Sequence, residues 1–284
     1  MKSQRSMACD ALNSAPSSPP RVSVVVPAFN ESAEVLAASL GSLRAQTYDD
    51  FECVVVDEST RPELAQACRA ACELDPRFRY VHPSTRLGLA ASLNYGIQLA
   101  RGELIARFDS DDICMPERLA QQVVYMDAYP EVGVLGGGLA IIAEDGRTLA
   151  FRDYPQEHDA IEKRFQTTNA IAHPTVMLRR VLIERHGGYD ADFRYAEDLE
   201  LWLRLLNCGV RFMNLGSVLV RYRQESTARN RHNWQFNRRA RWRNFSSRYL
   251  PWRVVGILAV SVWALLPLRL QSQVFKRLLF RRAE

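Results

Sequence analysis

Short strand-like runs rich in β-branched residues alternate with longer helical stretches from Val22 onward, and this alternation constrains the fold more than any other feature. The predicted strands are VSVVVP (22–27), FECVVVD (51–57), RFRYV (77–81) and ELIARF (103–108), and a helix is predicted from about Leu89 to Ala100. Such alternation is typical of an α/β domain built on a mainly parallel sheet. Because ligands bind outside the carboxyl ends of such strands, we expect the polar loops after residues 27, 57 and 108 to converge on one site.

Further elements are predicted along the rest of the chain. A helix starts near Pro116, a β-hairpin turns at Asp145-Gly146, and apolar spacing predicts a helix from Glu197 to Leu206. No internal repeat is evident, which argues against a solenoid. With 284 residues, 47% of them apolar, the chain can bury one substantial core, so we expect one main domain over residues 21–228.

The charge of the chain is distributed unevenly. Residues 1–200 hold 20 Lys and Arg against 30 Asp and Glu, a balance of −10, whereas residues 201–284 hold 17 against 2, a balance of +15. This asymmetry predicts that the two parts have different tasks.

The segment from Val254 to Leu268 is an uncharged run of 15 residues, VVGILAVSVWALLPL. It is shorter than the ~18–20 residues that a membrane-spanning helix needs. Arg253 and Arg269 flank it, and further basic residues follow, which is typical of a helix in the interface of an anionic membrane leaflet. The alternative is a helix packed on the domain with a solvated basic tail. We expect residues 229–284 to form a basic, amphipathic helical extension associated with a membrane surface.

The cysteines and the N-terminus bear on the compartment. The six cysteines form no CxxC pair and no zinc-spaced group with histidine, which favours a reducing, cytosolic environment over a disulfide framework. Lys2 and Arg5 are not followed by an apolar run, and residues 13–20 read NSAPSSPP. Residues 1–20 are therefore predicted to be a disordered leader and not a signal peptide.

Three carboxylates follow the fourth predicted strand, at Asp109, Asp111 and Asp112. Such crowding is unfavourable unless a cation is bound. Two carboxylates with phosphate oxygens and water suit a hard divalent ion, Mg²⁺ or Mn²⁺, which could stabilise a diphosphate leaving group. The alternative is that the acidic run caps the helix near Pro116, because Asp and Pro both favour a helix start.

Asp57 ends the second predicted strand and belongs to a neighbouring loop. A carboxylate at this position can accept hydrogen bonds from a base or a ribose. Capping of a helix that begins near Pro62 is the alternative.

Six segments of the chain appear in an order that is typical of a known family. They are VSVVVPAFNE (22–31), VVVDEST (54–60), RLGLAASLNYGIQLARGELIARFDSDD (86–112), HPTVMLRR (173–180), GGYD (187–190) and AEDLELWLRL (196–205). Together they resemble the family 2 glycosyltransferases over roughly Val22 to Arg223. The resemblance implies the glycosyltransferase-A fold, a Rossmann-like mixed, mainly parallel sheet flanked by helices, as the catalytic domain.

The resemblance also implies an activity. It is the inverting transfer of a sugar from a nucleoside-diphosphate-sugar to a hydroxyl of a saccharide or lipid-linked acceptor, in cell-surface polysaccharide biosynthesis. We expect the enzyme to be cytoplasmic and peripherally associated with the inner face of the cell membrane.

Site residues follow from the matching motif positions. The implied nucleotide-sugar-binding residues are Pro27, Ala28, Phe29, Glu31, Asp57, Arg86, Asn94 and Asp109. Arg86 and Asn94 would support both the nucleotide and the acidic loop. Asp109 would contact the ribose and the metal, and Asp111 would bridge Mn²⁺ or Mg²⁺ to the diphosphate.

The implied catalytic base is Asp198, which would accept the proton of the acceptor hydroxyl while Glu197 fixes the loop or contacts the acceptor. The alternative is that this pair caps a helix, since acidic residues are favourable in a first turn. His173, Trp202 and Arg204 are candidates for contacts with the acceptor or diphosphate. For these three the alternatives are a structural histidine, core packing and pairing with an acid.

The chain departs from the family pattern at two places. Asp57 is followed by Glu58 where the family has a small residue, and Glu225 stands where a metal-binding histidine is common. Either Glu225 or His232 would complete a metal site, or the ion would lack that contact. Residues 238–242 (RRARW) match the RxxRW form of a motif of processive members. Without a qualifying membrane span, we expect the addition of a single sugar.

Three other classes of function agree less well with these residues. The basic, aromatic stretch from Arg229 to Arg248 is compatible with nucleic-acid binding, which would leave the acidic loops without a purpose, so we expect no nucleic-acid partner. A sugar-nucleotide nucleotidyltransferase would have a Gly-rich, basic first loop, whereas this loop reads PAFNESAE. A catalytically inactive sugar-binding scaffold would be expected to lose the carboxylates, which are present.

Overall fold

A computed structural model describes residues 18–223, 231–267, 270–271, 274 and 281–282. The strands are β1 Val22–Ala28, β2 Phe51–Asp57, β3 Phe78–Val81, β4 Leu104–Arg107, β5 Ile113–Cys114, β6 Val132–Ile142, β7 Thr148–Arg152, β8 Met177–Arg179, β9 Arg211–Arg223 and β10 Arg281–Arg282. The helices are α1 Ala33–Arg44, α2 Pro62–Cys72, α3 Leu89–Leu99, α4 Arg118–Ala128, α5 His158–Phe165, α6 Arg180–His186, α7 Glu197–Asn207, α8 Arg231–Arg243 and α9 Leu250–Trp263, with a 3₁₀ turn at His173–Thr175. The four predicted strands and the predicted helices at α3, α4 and α7 are confirmed.

The first half of the sheet is parallel, in the order β3-β2-β1-β4. Val25 of β1 pairs with Val54 of β2 on one side and with Arg107 of β4 on the other. All seven residues of β2 are buried, as expected for a parallel strand covered by helices on both faces. Because the strands run in one direction, their carboxyl ends and following loops lie at one edge of the sheet.

The second half of the sheet is organised around β6. Strand β9 runs parallel to β6 along one edge, while β8 and then β7 pair antiparallel with the other edge. Strand β8 joins the two halves by pairing antiparallel with β4. The predicted hairpin is confirmed between β6 and β7, where Gly146 adopts φ 82° and its N–H donates to the carbonyl of Ala143 at 2.9 Å.

The core lies on both faces of the sheet because side chains alternate along the strands. Val24 and Val26 of β1 pack with α1, α2 and α4, whereas Val25 packs in a second cluster with α3, α5 and α7. The glycine run of β6 allows a close approach, since a Cβ at Gly136 would lie 2.4 Å from Ile171 Cγ1 and 2.5 Å from Asn214 Oδ1. Glycine at position 136 therefore allows β6 to stay in the sheet while Ile171 and Asn214 pack closely against it.

The helices α8 and α9 pack beyond α7. Asn207 at the end of α7 donates to the carbonyl of Asn244 at 2.9 Å and accepts from Arg253 of α9 at 2.9 Å. Arg241 of α8 is buried and donates to the carbonyls of Phe165 and Gln166 at 2.7 Å each.

Several predictions fall partly on residues that are not described. Most of the predicted leader, residues 1–17, and residues 268–269 lie outside the described ranges. Within the described part of the chain, none of the helices combines the length and the apolar character needed to cross a membrane.

Candidate active site

The loops that follow β1, β2 and β4 contact one another at the edge of the sheet. Asn30 adopts a left-handed conformation (φ 56°), and its N–H donates to Ser59 Oγ at 2.8 Å while its Oδ1 accepts from Thr60 N at 3.0 Å. Ser110 donates to Glu31 Oε1 at 3.4 Å, which joins the first loop to the acidic loop. The predicted convergence of these loops is therefore observed, with Asn30 as a linking residue that the sequence did not reveal.

The predicted residues of the first loop lie at the end of β1. Ala28 pairs with Asp57 across the strands and is buried, and Pro27 is half-buried. Phe29 is exposed, and the guanidinium carbon of Arg86 lies 4.0 Å from its ring centroid. Arg86 thus contacts the first loop in this structure.

The acidic loop brings the carboxylates of Asp109, Asp111 and Asp112 together, with one oxygen of each within 4.8 Å of the others. The guanidinium of Arg107, a buried residue at the end of β4, donates to Asp109 Oδ2. Asp112 is fully buried, and its Oδ1 accepts from the N–H of Arg223 at 2.8 Å. Its Oδ2 is buried without a hydrogen-bond partner.

The electrostatics of this cluster fit a cation. Burial, followed by the charges of Asp109 and Glu31, raises the pKa of Asp111 to about 7. Burial and the two neighbouring carboxylates also raise the pKa of Asp112 well above its usual range. Crowded carboxylates with an unsatisfied buried oxygen are the donor set that a hard divalent ion prefers, so these residues fit Mn²⁺ or Mg²⁺.

The end of strand β9 is hydrogen-bonded to the acidic loop. Arg223, its last residue, donates from Nε to the carbonyl of Asp111 at 3.0 Å and from Nη1 to that of Glu144 at 2.7 Å. Burial, followed by the carboxylate charges of the acidic loop, raises the pKa of Tyr222. Glu225 and the side chain of His232 lie outside the described residues, so their predicted contribution to a metal site stays a prediction.

A groove of about 300 Å³ opens beside the loop after β2, lined by Glu58, Ser59, Thr60, His82, Pro83, Ser84, Thr85 and Arg86. Asp57 lies beneath it and is fully buried. Its Oδ1 accepts from Ser59 N at 2.9 Å and its Oδ2 from the Tyr80 hydroxyl at 2.9 Å. Asp57 therefore orders the loop that borders the groove, and its predicted contact with a nucleoside stays a prediction.

Glu58, which departs from the family pattern, attaches the loop after β2 to the start of α3. Its Oε2 accepts from the N–H groups of Leu87 at 2.7 Å and Gly88 at 2.9 Å, and its Oε1 from the Ser92 hydroxyl. Gly88, the residue that precedes α3, has no side chain to cap the helix. The carboxylate of Glu58 therefore satisfies the N–H groups of the N-cap residue and of the residue before it, the task that a glutamate of the helix itself performs in a capping box.

Asn94 of α3 binds the backbone of a distant loop. Its side-chain amide donates to the carbonyl of Tyr189 at 2.7 Å and accepts from the Tyr189 N–H at 2.8 Å. Asn94 thus supports the loop that precedes α7, and its predicted support of the nucleotide and the acidic loop stays a prediction. A Cβ at Gly188 would lie 2.2 Å from Asn94 Oδ1, so the glycine is required for this approach.

The predicted base lies at the start of α7. Asp198 accepts from the amide of Asn169 at 2.8 Å through Oδ2 and from the N–H of Leu199 at 2.7 Å through Oδ1. Burial, followed by the charge of Asp198, raises the pKa of Glu197 to about 8. Ala196 adopts a left-handed conformation (φ 59°), a strained geometry that the surrounding structure must maintain.

Arg107 and Tyr189 connect the acidic loop to this pair of carboxylates. Arg107 pairs with Asp109, and both residues act electrostatically on Glu197. The Tyr189 hydroxyl shares a hydrogen bond of 2.8 Å with His173 Nε2. Burial, followed by the charge of Arg107, holds the pKa of His173 well below its usual range, so the imidazole is neutral at pH 7. Arg107 of β4 and Asp109 of the acidic loop therefore influence the carboxylate of Glu197, the residue beside Asp198.

Trp202 and Arg204 of α7 make contacts that stabilise the protein around His173 and Gly188. Trp202 is fully buried, and its ring packs edge-on against His173 and Phe212 at centroid distances of 5.9 and 6.0 Å. Arg204 pairs with Glu200 at 2.9 Å and donates to the carbonyl of Gly188 at 2.6 Å. These contacts agree with the packing and acid-pairing alternatives, and a contact of either side chain with the acceptor or diphosphate stays a prediction.

Three site residues were not singled out from the sequence. Arg107 lies in a run whose pattern predicts only a strand. Asn169 and Arg223 lie far along the chain from the groups they bind. Only Arg107 had a local signal, a charge in a buried strand next to the acidic run. Partners of the other two depend on the tertiary fold.

The described part of the chain has the glycosyltransferase-A fold, with its mixed sheet, acidic loop and flanking helices. It is similar to the mannosyltransferase PcManGT of Pyrobaculum calidifontis, solved in complex with GDP-Man and Mn²⁺, with a TM-score of 0.61 and 21% identity over 93% of this chain and 77% of that one. It is also similar to S. aureus TarS 1-349, solved in complex with UDP-GlcNAc, with a TM-score of 0.59 and 21% identity over 78% of this chain and 66% of that one.

The amino-acid sequence identifies the family. Residues 23–187 match the profile of glycosyl transferase family 2, which is more than half of the chain. Over 189 residues the chain is 35% identical to the O-antigen biosynthesis glycosyltransferase WbnJ of Escherichia coli, covering 65% of this chain and 72% of the relative. The chain belongs to glycosyl transferase family 2.

Proposed function

We propose that this glycosyltransferase is inverting and divalent-metal dependent, and transfers a sugar from a nucleoside-diphosphate-sugar to a hydroxyl of a saccharide or lipid-linked acceptor. The observation that carries the proposal is the cluster of Asp109, Asp111 and Asp112 at the end of β4, in which one carboxylate oxygen of each lies within 4.8 Å of the others. UDP-GlcNAc and GDP-Man in the neighbouring structures support a nucleotide-sugar donor. The O-antigen assignment of the relative supports a role in cell-surface polysaccharide biosynthesis.

The donor is held by groups at the sheet edge. The groove beside Glu58 and Arg86 is large enough for part of a nucleoside, and the acidic loop follows β4 at the same edge. Asp109, Asp111 and Asp112 would hold the cation. When bound, Mn²⁺ or Mg²⁺ supplies positive charge that stabilises the diphosphate as it leaves.

The transfer is a single displacement. The carboxylate of Asp198, oriented by Asn169, accepts the proton of the acceptor hydroxyl. The acceptor oxygen forms a bond to the anomeric carbon while the bond from that carbon to the diphosphate oxygen breaks, and the diphosphate leaves with the electron pair. One attack from the opposite face inverts the anomeric configuration. Glu197 holds the turn that presents Asp198.

Two substitutions test this assignment. Asp198→Asn should abolish transfer and retain metal-dependent donor binding, whereas Asp111→Ala should weaken both. The matched control is Asp192→Asn, because Asp192 is an exposed carboxylate six residues before the base. Transfer is measured by acceptor glycosylation and binding by calorimetry. Full transfer activity in Asp198→Asn would refute the proposed base.

The proposal extends to domain boundaries and location. We assign the catalytic domain to residues 21–228 and a basic extension to 229–284, with the enzyme on the inner face of the cell membrane. Supporting this, residues 201–284 carry a balance of +15. Family membership and the acidic site favour the transferase over a nucleotidyltransferase or a nucleic-acid-binding protein.

A further inference from the structure

Helix α9 presents its apolar residues to solvent. Its inward face consists of Arg253, Gly256, Ile257 and Val260, which are buried. The outward positions are apolar as well, with Val254 43%, Val255 48%, Leu258 59% and Val262 61% exposed. A surface helix of a globular protein normally has polar residues on its outward face. A helix that is apolar on all sides is expected to contact a second apolar surface in addition to the core of its own domain.

The packing of α9 fixes which face points inward. Arg253 donates to the carbonyl of Arg248 at 2.9 Å, to Asn207 Oδ1 at 2.9 Å and to the carbonyl of Asn244. A Cβ at Gly256 would lie 1.7 Å from the carbonyl oxygen of Gln166, so only glycine permits this contact. Rotating the helix to bury its outward face would break these hydrogen bonds and remove this close contact.

The charge and the aromatic residues of α8, α9 and the flanking sequence indicate the occupant. Residues 226–283 contain 13 Lys and Arg and no Asp or Glu. Trp242 is 58% exposed and Trp252 47% exposed, and the neighbouring Arg238 and Arg239 of α8 are exposed. Indole rings and basic side chains beside an apolar strip are typical of helices in the interface of an anionic membrane.

A second copy of the chain is a poorer occupant. A symmetric dimer through this face would bring two strongly basic segments together, and like charges repel. The length of α9 also bears on the mode of insertion. Its 14 residues extend about 21 Å at 1.5 Å per residue, less than the ~30 Å hydrocarbon core, so an in-plane orientation fits and a spanning one does not.

We propose that the outward face of α9 (Val254, Val255, Leu258 and Val262) inserts in plane into the headgroup–acyl boundary of an anionic membrane, with the exposed arginines of α8 on the headgroups. This inference makes the proposed membrane location more specific, because it names the surface that inserts. It rests on the orientation of α9 and the local charge, and the transferase assignment is not needed for it.

The test uses the full-length protein with vesicles of phosphatidylcholine alone or mixed with phosphatidylglycerol. The wild type should sediment with the mixed vesicles and remain in the supernatant with the neutral ones. Leu258→Asn combined with Val262→Asn should weaken binding on the order of 100-fold, since two exposed aliphatic side chains that would enter the membrane are replaced by polar ones. Val124→Asn is the control, because Val124 is 70% exposed on α4 and should be neutral.

Three outcomes would overturn the proposal. They are equal binding of the double variant and the control, equal binding of the wild type to both vesicle types, or a lipid-free dimer that the double variant converts to a monomer. Thermal melting should show that the double variant remains folded, because the substituted side chains are exposed. Its donor binding should be unchanged, so failure of membrane binding is distinguished from failure of the transferase assignment.

Discussion

Asn169 holds the carboxylate that we propose as the base. The amide donates to Asp198 Oδ2 at 2.8 Å, and a hydrogen bond to a charged group contributes about 1.5–3 kcal/mol. We predict that Asn169→Ala lowers kcat roughly 10- to 100-fold and leaves donor affinity unchanged, because the base loses its orientation while the acidic loop is untouched. Steady-state kinetics and calorimetric donor binding measure the two effects.

The control for Asn169→Ala is Thr167→Ala, since Thr167 is exposed two residues earlier. A parallel loss of donor affinity in Asn169→Ala would contradict a role confined to the base and would indicate a general structural defect.

Residue identities were predictable where a local pattern carried them. Asp109 and Asp111 follow a buried strand, and Asp198 opens a helix within an ordered set of motifs, so the sequence alone singled them out. The partners of these residues were not predictable. Asn169 lies 29 residues from Asp198, and Arg223 lies 111 residues from Asp112, so only the folded chain brings each pair together.

The start of α3 depends on a side chain from another element. Glu58 accepts from the N–H groups of Leu87 and Gly88 and from the Ser92 hydroxyl. We predict that Glu58→Ala lowers the free energy of unfolding by about 1–2 kcal/mol, as for loss of a helix cap, and raises the donor KM because the loop bordering the groove loosens. Urea denaturation and donor kinetics measure these changes.

Glu58→Gln is the matched control because its amide oxygen can still accept from the same N–H groups. It should fall between the wild type and Glu58→Ala. A donor KM that is unaltered in Glu58→Ala would show that the loop is held without this carboxylate.

Strands and helices with strong patterns were predicted, and their long-range pairing was not. The apolar runs of β1, β2 and β4 and the helical spacing of α7 are local features. Strand β6 pairs with β7, β8 and β9, and its parallel pairing with β9 joins residues about 80 positions apart. Periodicity identifies which face of a strand is buried, but the choice of neighbour depends on packing across the whole sheet.

At the scale of the whole molecule, the acidic cluster makes stability depend on what it binds. We predict that Mn²⁺ and a UDP- or GDP-sugar together raise Tm by several degrees, since saturation at 100 Kd contributes about 2.7 kcal/mol to the free energy of unfolding. A chelator should abolish the donor effect. A thermal-shift screen of nucleotide sugars with and without Mn²⁺ measures it.

Asp111→Ala serves as the comparison in this screen, because it should retain the melting temperature of the free protein or exceed it while losing the response to Mn²⁺. Burial beside Asp109 and Glu31 disfavours the charged form of Asp111, so its removal relieves repulsion in the free protein. A donor response that is the same with Mn²⁺ and with chelator would refute metal dependence.

The division of charge along the chain predicts a distinct C-terminal part, which stays a prediction, and it gives no indication of how closely α8 and α9 pack on α7. Arg253 of α9 and Asn207 of α7 share a hydrogen bond of 2.9 Å, so the basic helices pack directly against the helix that carries Asp198. A hydropathy pattern does not predict that an arginine is buried at such a contact, because it does not show the carbonyl oxygens that accept the hydrogen bonds of the arginine.

The position of β9 has a consequence for exchanging parts between relatives. The family profile ends at residue 187, yet Arg223 at the end of β9 binds the acidic loop and Asp198 lies on α7. A chimera that joins the first 187 residues to a foreign C-terminal half would therefore import both the support of the acidic loop and the proton acceptor that we propose. Swaps intended to alter donor choice alone should keep residues 188–223 with their own N-terminal partner.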